Sequence, residues 1–280
     1  MKNITITLNF IDKNKLRTDV AELFHNETVY LGSVGYSFRE YYKDRFIFGF
    51  GRTEDIPLGK QAVYTAGISN VDGIKRFYSG IKLSYAKTHS SLGYLYSSIE
   101  TGGYLHNKDV EQGVVGLQIL YFTNLIPVGR WQIRQFWLNR FTLGYNRKPG
   151  EQLNINEGQG LRVFASDRIG GTQKLVSNYE LNFFTPYTPL GFRIVPVVFV
   201  DFALIGTKDN PFYNSRFYQG YGLGVRLKNE HLVFRTFQLS LHYYPGAKDF
   251  GTKEFKYFHT EHSYYSFPGF EIGAPYTLGF

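Results

Sequence analysis

From Phe270 onward the chain reads Phe-Glu-Ile-Gly-Ala-Pro-Tyr-Thr-Leu-Gly-Phe. Phe270, Ile272, Ala274, Tyr276, Leu278 and Phe280 fall on one face of an extended backbone, and Glu271, Gly273, Pro275, Thr277 and Gly279 on the other. A period of two, large apolar on one side and small or polar on the other, describes a strand between two different environments. The alternation recurs along the whole chain. Ile81, Leu83 and Tyr85 alternate with Lys82, Ser84 and Ala86, and Phe237, Leu239, Leu241 and Tyr243 with Gln238, Ser240 and His242. The pattern predicts strands at about 2–10, 28–38, 42–51, 61–70, 77–87, 91–105, 113–124, 131–146, 173–185, 192–206, 219–228, 232–245 and 267–280. The gaps between them are mostly too short for helices.

The connections sort into two kinds. Short ones such as Pro127-Val128-Gly129 and Lys228-Asn229-Glu230 carry turn chemistry. Longer ones, at about 147–172, 207–218 and 246–266, all fall at the same end of an antiparallel array when counted back from the C-terminus. No linker or change in composition divides the chain, so residues 1–280 are read as one domain. The odd count of 13 runs sits badly with a bacterial single-chain barrel, where an even number is usual. It implies a misassigned run, with the irregular stretch 11–27 the first suspect, or strands lying upstream. The N-terminal residues alternate and lack the apolar run of a signal peptide. They are therefore expected to belong to a trimmed form or to the C-terminal piece of something longer.

Composition narrows the fold class. The chain holds 23 Tyr, 26 Phe and 30 Gly, one Met and no Cys, and its mean hydropathy is slightly negative. Abundant aromatics without long aliphatic runs suit a barrel with aromatic girdles and a wet interior. The apolar run Ile194–Val200, broken by Asp201, is too short for a spanning helix. Only a closed barrel would carry this chain across a bilayer. The expectation is an all-β, antiparallel transmembrane barrel of 12–16 strands with a long external loop folded into its lumen. The net charge of +8 is spread singly, without a basic run or stripe. It suits contact with anionic headgroups and lipopolysaccharide phosphates or simple scattered solubilising charge, and does not point to nucleic acid.

Candidate chemistry gathers around the 26-residue connection at 147–172. It contains Gly158-Gln159-Gly160-Leu161-Arg162-Val163-Phe164 and the pair Gly170-Gly171. Loops of this length are usually functional or disordered. On the next strand, Glu180 shares a face with Val176, Asn178 and Asn182, opposite Tyr179, Leu181 and Phe183. Asp201 lies between Val200 and Phe202 and should also face inward. A guanidinium offers five donors and matches carboxylates bidentately, so Arg162 can clasp both acids. Catalytic patterns are absent: there is no His-Glu-x-x-His and no Gly-x-Ser-x-Gly. Neither an enzymatic activity nor a metal or cofactor is expected.

Arg162-Val163-Phe164, the paired glycines, Asn178-x-Glu180-Leu181 and Val200-Asp201-x-Ala203 together resemble the BamA/TamA surface-antigen superfamily. The stretch Gly51-Arg52-Thr53-Glu54-Asp55-Ile56-Pro57-Leu58-Gly59 is similar to that family's Glu-Asp-Ile-Pro-x-Gly turn, so the likeness spans about 45–280. The resemblance implies that the Arg motif of the sixth external loop docks inside the barrel on acids of the following strands. Five predicted strands follow the loop, as in the family's 16-stranded barrel. It also implies a location in the bacterial outer membrane and a role in inserting or moving polypeptides. The expected partners are membrane lipid and lipopolysaccharide, client β-barrel or secreted polypeptides, and periplasmic accessory proteins. A weak seam would lie between the first and last strands, with Phe270, Gly273, Pro275, Gly279 and Phe280 on its C-terminal side. The chain departs from the family at Val163, where the family has Gly, and carries no POTRA modules. A barrel serving as passive channel or as anchor for an upstream effector is the competing expectation.

Overall fold

The computed structural model describes residues 2–13, 27–47, 50–148, 150–229, 236–260 and 265–279, with backbone alone for 2–13, 259 and 260. These form one antiparallel sheet in chain order. Its strands are β1 (Lys2–Lys13), β2 (Glu27–Arg45), β3 (Thr53–Val71), β4 (Ile74–His89), β5 (Gly93–His106), β6 (Asp109–Phe122), β7 (Ile126–Val128), β8 (Trp131–Tyr145), β9 (Gln173–Phe184), β10 (Phe192–Gly206), β11 (Phe217–Asn229), β12 (Phe237–Tyr243) and β13 (Phe255–Thr260). The three-residue β7 pairs only with β8, so the continuous path runs through twelve strands.

Burial follows the period of two, and on several strands the usual polarity is reversed. On β12, Phe237, Leu239, Leu241 and Tyr243 are exposed while Gln238, Ser240 and His242 are buried. On β4, Phe77, Ile81, Leu83 and Tyr85 are exposed, against buried Tyr78, Ser84 and Ala86. On β9 the buried face is Lys174, Val176, Asn178, Glu180, Asn182 and Phe184. The inner face of β9 and β12 thus holds charge and amide groups, that of β5, β6, β8 and β10 carries aromatic and aliphatic groups such as Tyr94, Phe122, Phe136, Val197 and Phe199, and the outer face presents Leu, Ile, Tyr and Phe.

The sheet is strongly curled. β2 and β8 are separated by four strands, which in a flat sheet would put them roughly 24 Å apart. Yet Arg134 of β8 donates to both Asp44 oxygens of β2, at 3.0 and 3.2 Å. The hairpin of β2 and β3 overhangs one end, because β4 pairs with β3 only from Gly59 onward. Pro57 lies in that overhang, where it needs no second ladder and its missing N–H is tolerated. The connection behind it reaches β9 and β10: Phe46 packs on Phe184 at 4.8 Å, and Phe50 joins Phe184, Val195, Val197 and Phe199.

Several expectations are corrected. The run 28–38 and the start of the run 42–51 form a single strand that ends at Arg45, since Arg39, Glu40 and Tyr41 continue the ladder against Gly59, Leu58 and Pro57, and residues 48–49 lie outside the described residues. Most of the supposed turn at 51–59 is therefore the start of β3. The connection at 246–266 contains β13, which pairs with β12 from Gln238↔Thr260 to Tyr243↔Phe255. The strand expected at 267–280 does not form: residues 265–279 carry no strand pairing. Phe270 takes φ +51, and prolines at 268 and 275 remove two ladder donors. Finally, the sheet is open. Among the described residues β1 pairs only with β2, and β13 only with β12.

Candidate functional site: a loop clasped to the inner face

Alternation of the strands puts the connection from 146 to 172 at the same end of the sheet as those at 207–216 and 244–254. The loop does not stand out into solvent. Leu153, Ile155, Leu161, Phe164 and Ile169 are buried against Val176 of β9, Ala203 and Ile205 of β10, and Tyr244 and Ala247 beyond β12. A bridge between Leu153 and Gly171 ties the loop's two limbs, with N–H to carbonyl distances of 2.7 and 3.1 Å. Gly160 and Gly171 are required by close approach. A Cβ at Gly160 would fall onto the backbone of Ile155, and one at Gly171 onto the carbonyl of Gly206. A Cβ at Gly170 would meet only the Gln152 side chain.

At the loop tip Arg162 is buried and held on several sides. Its main-chain N–H donates to Asp201 Oδ2 at 3.0 Å, and its guanidinium pairs with Asp201 Oδ1. The same guanidinium donates to the Tyr179 carbonyl at 3.3 Å and to the Tyr265 hydroxyl at 2.6 Å, and lies 5.0 Å from the centre of the Phe199 ring. The Tyr244 hydroxyl donates to the Arg162 carbonyl. Burial pushes that hydroxyl's pKa well up, helped by Asp201 and Glu157, so it remains a donor. Phe164 is buried beside it, its ring edge-on to Tyr244 at 5.3 Å. The side chains of Arg162 and Phe164 both point inward, and Val163 between them pays with φ +58. That region is strained for a β-branched residue.

Asp201 and Glu180 take different cations. Asp201 receives Arg162 and, at 2.9 Å, the Asn178 amide. Glu180 Oε1 accepts from Arg226 of β11 at 2.7 Å and from Asn182 at 2.9 Å, while its Oε2 faces Arg162 at 3.7 Å. Arg226 also donates to Asn182 at 2.9 Å and to Gln238 at 2.6 Å. Arg226 escaped the sequence reading, although it shares a strand face with Gly220, Gly222 and Gly224 opposite Tyr221, Leu223 and Val225. Arg140 escaped it too. It fastens the Gly158 carbonyl at 2.8 Å and the Asn178 side-chain carbonyl at 3.2 Å. Two guanidinium groups matched to two carboxylates make a charge-balanced cluster. Such a cluster can hold a loop against a wall, since each buried charge has a partner.

The supposed seam residues sit elsewhere. Phe270 is buried against Tyr96 on the inner face, Gly273 and Gly279 stand in open space, Pro275 lines a cavity beside β2–β5, and Phe280 lies outside the described residues. The Ser91 hydroxyl and the His89 ring lie 2.9 Å apart in the exposed turn between β4 and β5, remote in sequence and strand order from the clasp. No family model matches the chain, and no curated protein matches it.

Proposed function

We propose that this protein is a transmembrane β-barrel of the BamA/TamA kind, working in the bacterial outer membrane to help insert or translocate polypeptides. The observation that carries the membrane part is the inverted burial of its strands. On β12, Leu239 and Leu241 are 49% and 55% exposed while Ser240 and His242 are 7% and 2% exposed. Water would penalise an apolar outer face of this extent, and hydrocarbon would stabilise it. The clasp supports the family part: the Arg162 motif of the long loop lies on Asp201, with Glu180 beside it, in the order the resemblance implies.

In this reading the barrel wall closes by bringing the two free edges together, and the weak seam lies between β1 and β13. β13 has 6 residues, whereas β2 and β3 have 19 each. An exposed edge with few rungs templates incoming β-structure. The loop clasp keeps the wall near β9–β11 rigid while the seam works. The inner face is occupied by the loop and by residues 265–279, which favours this reading over a passive channel.

The test is a cross-link across the seam. The chain has no Cys, so single cysteines in β1 and β13 give one defined disulfide. Oxidation should abolish assembly of a client barrel by vesicles carrying the protein, and reduction should restore it. Full activity in the oxidised state would remove seam opening as the mechanism and favour the anchor reading.

A further inference from the structure

Residues 265–279 make no strand, yet they are held along the inner face of β2–β5 by side chains that read their main chain. Arg39 donates to the Gly269 carbonyl at 3.1 Å, Ser37 to the Phe270 carbonyl and Gln61 to the Glu271 carbonyl at 2.9 Å, while the Tyr78 hydroxyl accepts from the Leu278 N–H at 2.8 Å. Three successive carbonyls are therefore recognised without regard to side chain. Side-chain selectivity is added at four points. Phe270 enters an aromatic cluster with Tyr96, and Glu271 pairs with Arg39. Ile272 lies over Gly35, where a Cβ would come within 2.9 Å of its Cδ1. Tyr276 donates to Glu100 at 3.0 Å.

Phe267 and Phe270 pack into the aromatic core, but beyond them the segment fits this wall loosely. Between them lies a cavity of about 270 Å³, lined by Ser33, Gln61, Thr65, Lys82 and Glu100 together with the tail itself. The buried Ser33 hydroxyl has no hydrogen-bond partner among the described residues. The Glu271 side chain is 75% exposed, and nothing lies within 4 Å of where Cβ atoms would stand at Gly273 and Gly279. A terminal strap built only to stabilise the fold would be expected to fill that space.

We propose that the inner face of β2–β5 is a binding site for an extended polypeptide segment, and that residues 266–279 occupy it in cis. The ligand is a segment of a client chain with the pattern aromatic, acidic, aliphatic, in which the acid meets Arg39 and the aliphatic side chain sits over Gly35. Being tethered, the tail competes at high effective concentration, so the site stays closed to weak segments and opens to well-matched ones. The inference deepens the polypeptide-handling reading above and rests on it for the ligand class.

The experiment uses the full chain in detergent micelles and a fluorescein-labelled peptide with the sequence of residues 265–279, followed by anisotropy. Glu271→Arg in the chain sets two cations against each other and loosens the tail. It should raise peptide affinity about two- to fivefold over the unaltered chain, the scale of a surface ion pair lost. Arg39→Glu should weaken binding of that peptide severalfold and restore it for one with Arg in place of its glutamate, a rescue that also reports an intact wall. If Glu271→Arg binds the peptide no better than the unaltered chain, the tail is a fixed part of the fold and the proposal falls. The same holds if the charge-swapped pair fails while Arg39→Glu keeps its β-sheet circular dichroism. No membrane or client is present in this assay. A chain that captures peptide but assembles nothing overturns only the assembly reading, and the converse overturns only the inner-wall site.

Discussion

Two irregular segments lie on the inner face of this sheet, and they are held in opposite ways. The loop at 147–172 sinks five apolar side chains into a cluster with β9 and β10 and presents a buried guanidinium to a buried carboxylate. The tail at 265–279 is anchored at its start, where Tyr265 and Phe270 are buried and Phe267 packs in a cluster with Tyr94, Tyr96, Phe122 and Phe136; from Glu271 onward it hangs mainly from main-chain hydrogen bonds and an exposed ion pair, with a cavity beneath it. Buried charge pairs are costly to break, because removing one partner strands the other away from water. Surface pairs and single hydrogen bonds are worth little after exchange with water. The loop and the start of the tail are therefore built to stay, and the stretch beyond Phe270 is held so that it can leave. Tyr265 connects the two. Its hydroxyl accepts from Arg162, and its ring stacks on Phe136 at 5.1 Å.

The largest way to break this contrast is Arg162→Ala. It leaves Asp201 without its cation, and such a loss commonly costs about 3–5 kcal/mol, less where water can enter. Protease cleavage within 147–172 should accelerate while the sheet persists by circular dichroism. Equal protection before and after substitution would mean that the apolar cluster alone holds the loop. Phe164→Ala tests that cluster, with an expected loss of about 3–4 kcal/mol in denaturant unfolding. A related pair sharpens the assignment of cations. Asp201→Asn should free the loop, whereas Glu180→Gln should leave it protected and instead weaken the wall at β9–β11, because Arg226 is the closer partner of Glu180.

A smaller effect is expected at Val163. Relief of φ +58 in Val163→Gly should outweigh the added chain entropy and raise stability by up to about 1 kcal/mol. A loss of stability there would show that the Val163 side chain contributes packing that outweighs its strain. The smallest change in folding is expected at the tail. Arg39→Ala should expose residues 271–279 to carboxypeptidase without moving the unfolding midpoint. A shifted midpoint would place the tail with the loop as a fixed element.

Most strands were legible because each separates two environments, and a period of two records that directly. Leu239 and Leu241 against Ser240 and His242 is such a record. The inward direction of Asp201 follows from the same rule, since Val200 and Phe202 flank it. The rule fails where alternation and pairing part company. Arg39, Glu40 and Tyr41 look like a break, but the ladder with β3 carries them through. Residues 270–280 alternate as well as any strand, yet Phe270 turns the backbone and the segment lies across the sheet rather than in it. β13 was hidden because Lys256 and His259 interrupt a run of six residues. Arg226 and Arg134 reach partners two and five strands away in the sheet, and spacing along the chain carries no sign of such contacts.

The central claim is that the outer face of the sheet meets hydrocarbon while the inner face is turned away from it. It is tested most directly by site-directed spin labelling along β12 in lipid bilayers, with single cysteines at each position from 237 to 243 in a chain that has none of its own. The account predicts that labels at 237, 239, 241 and 243 are relaxed by oxygen, which concentrates in lipid. Labels at 238, 240 and 242 should show no such peak, giving a period of two. Equal relaxation by a water-soluble nickel complex at the odd positions, or a chain that stays monomeric in water without detergent, would contradict it.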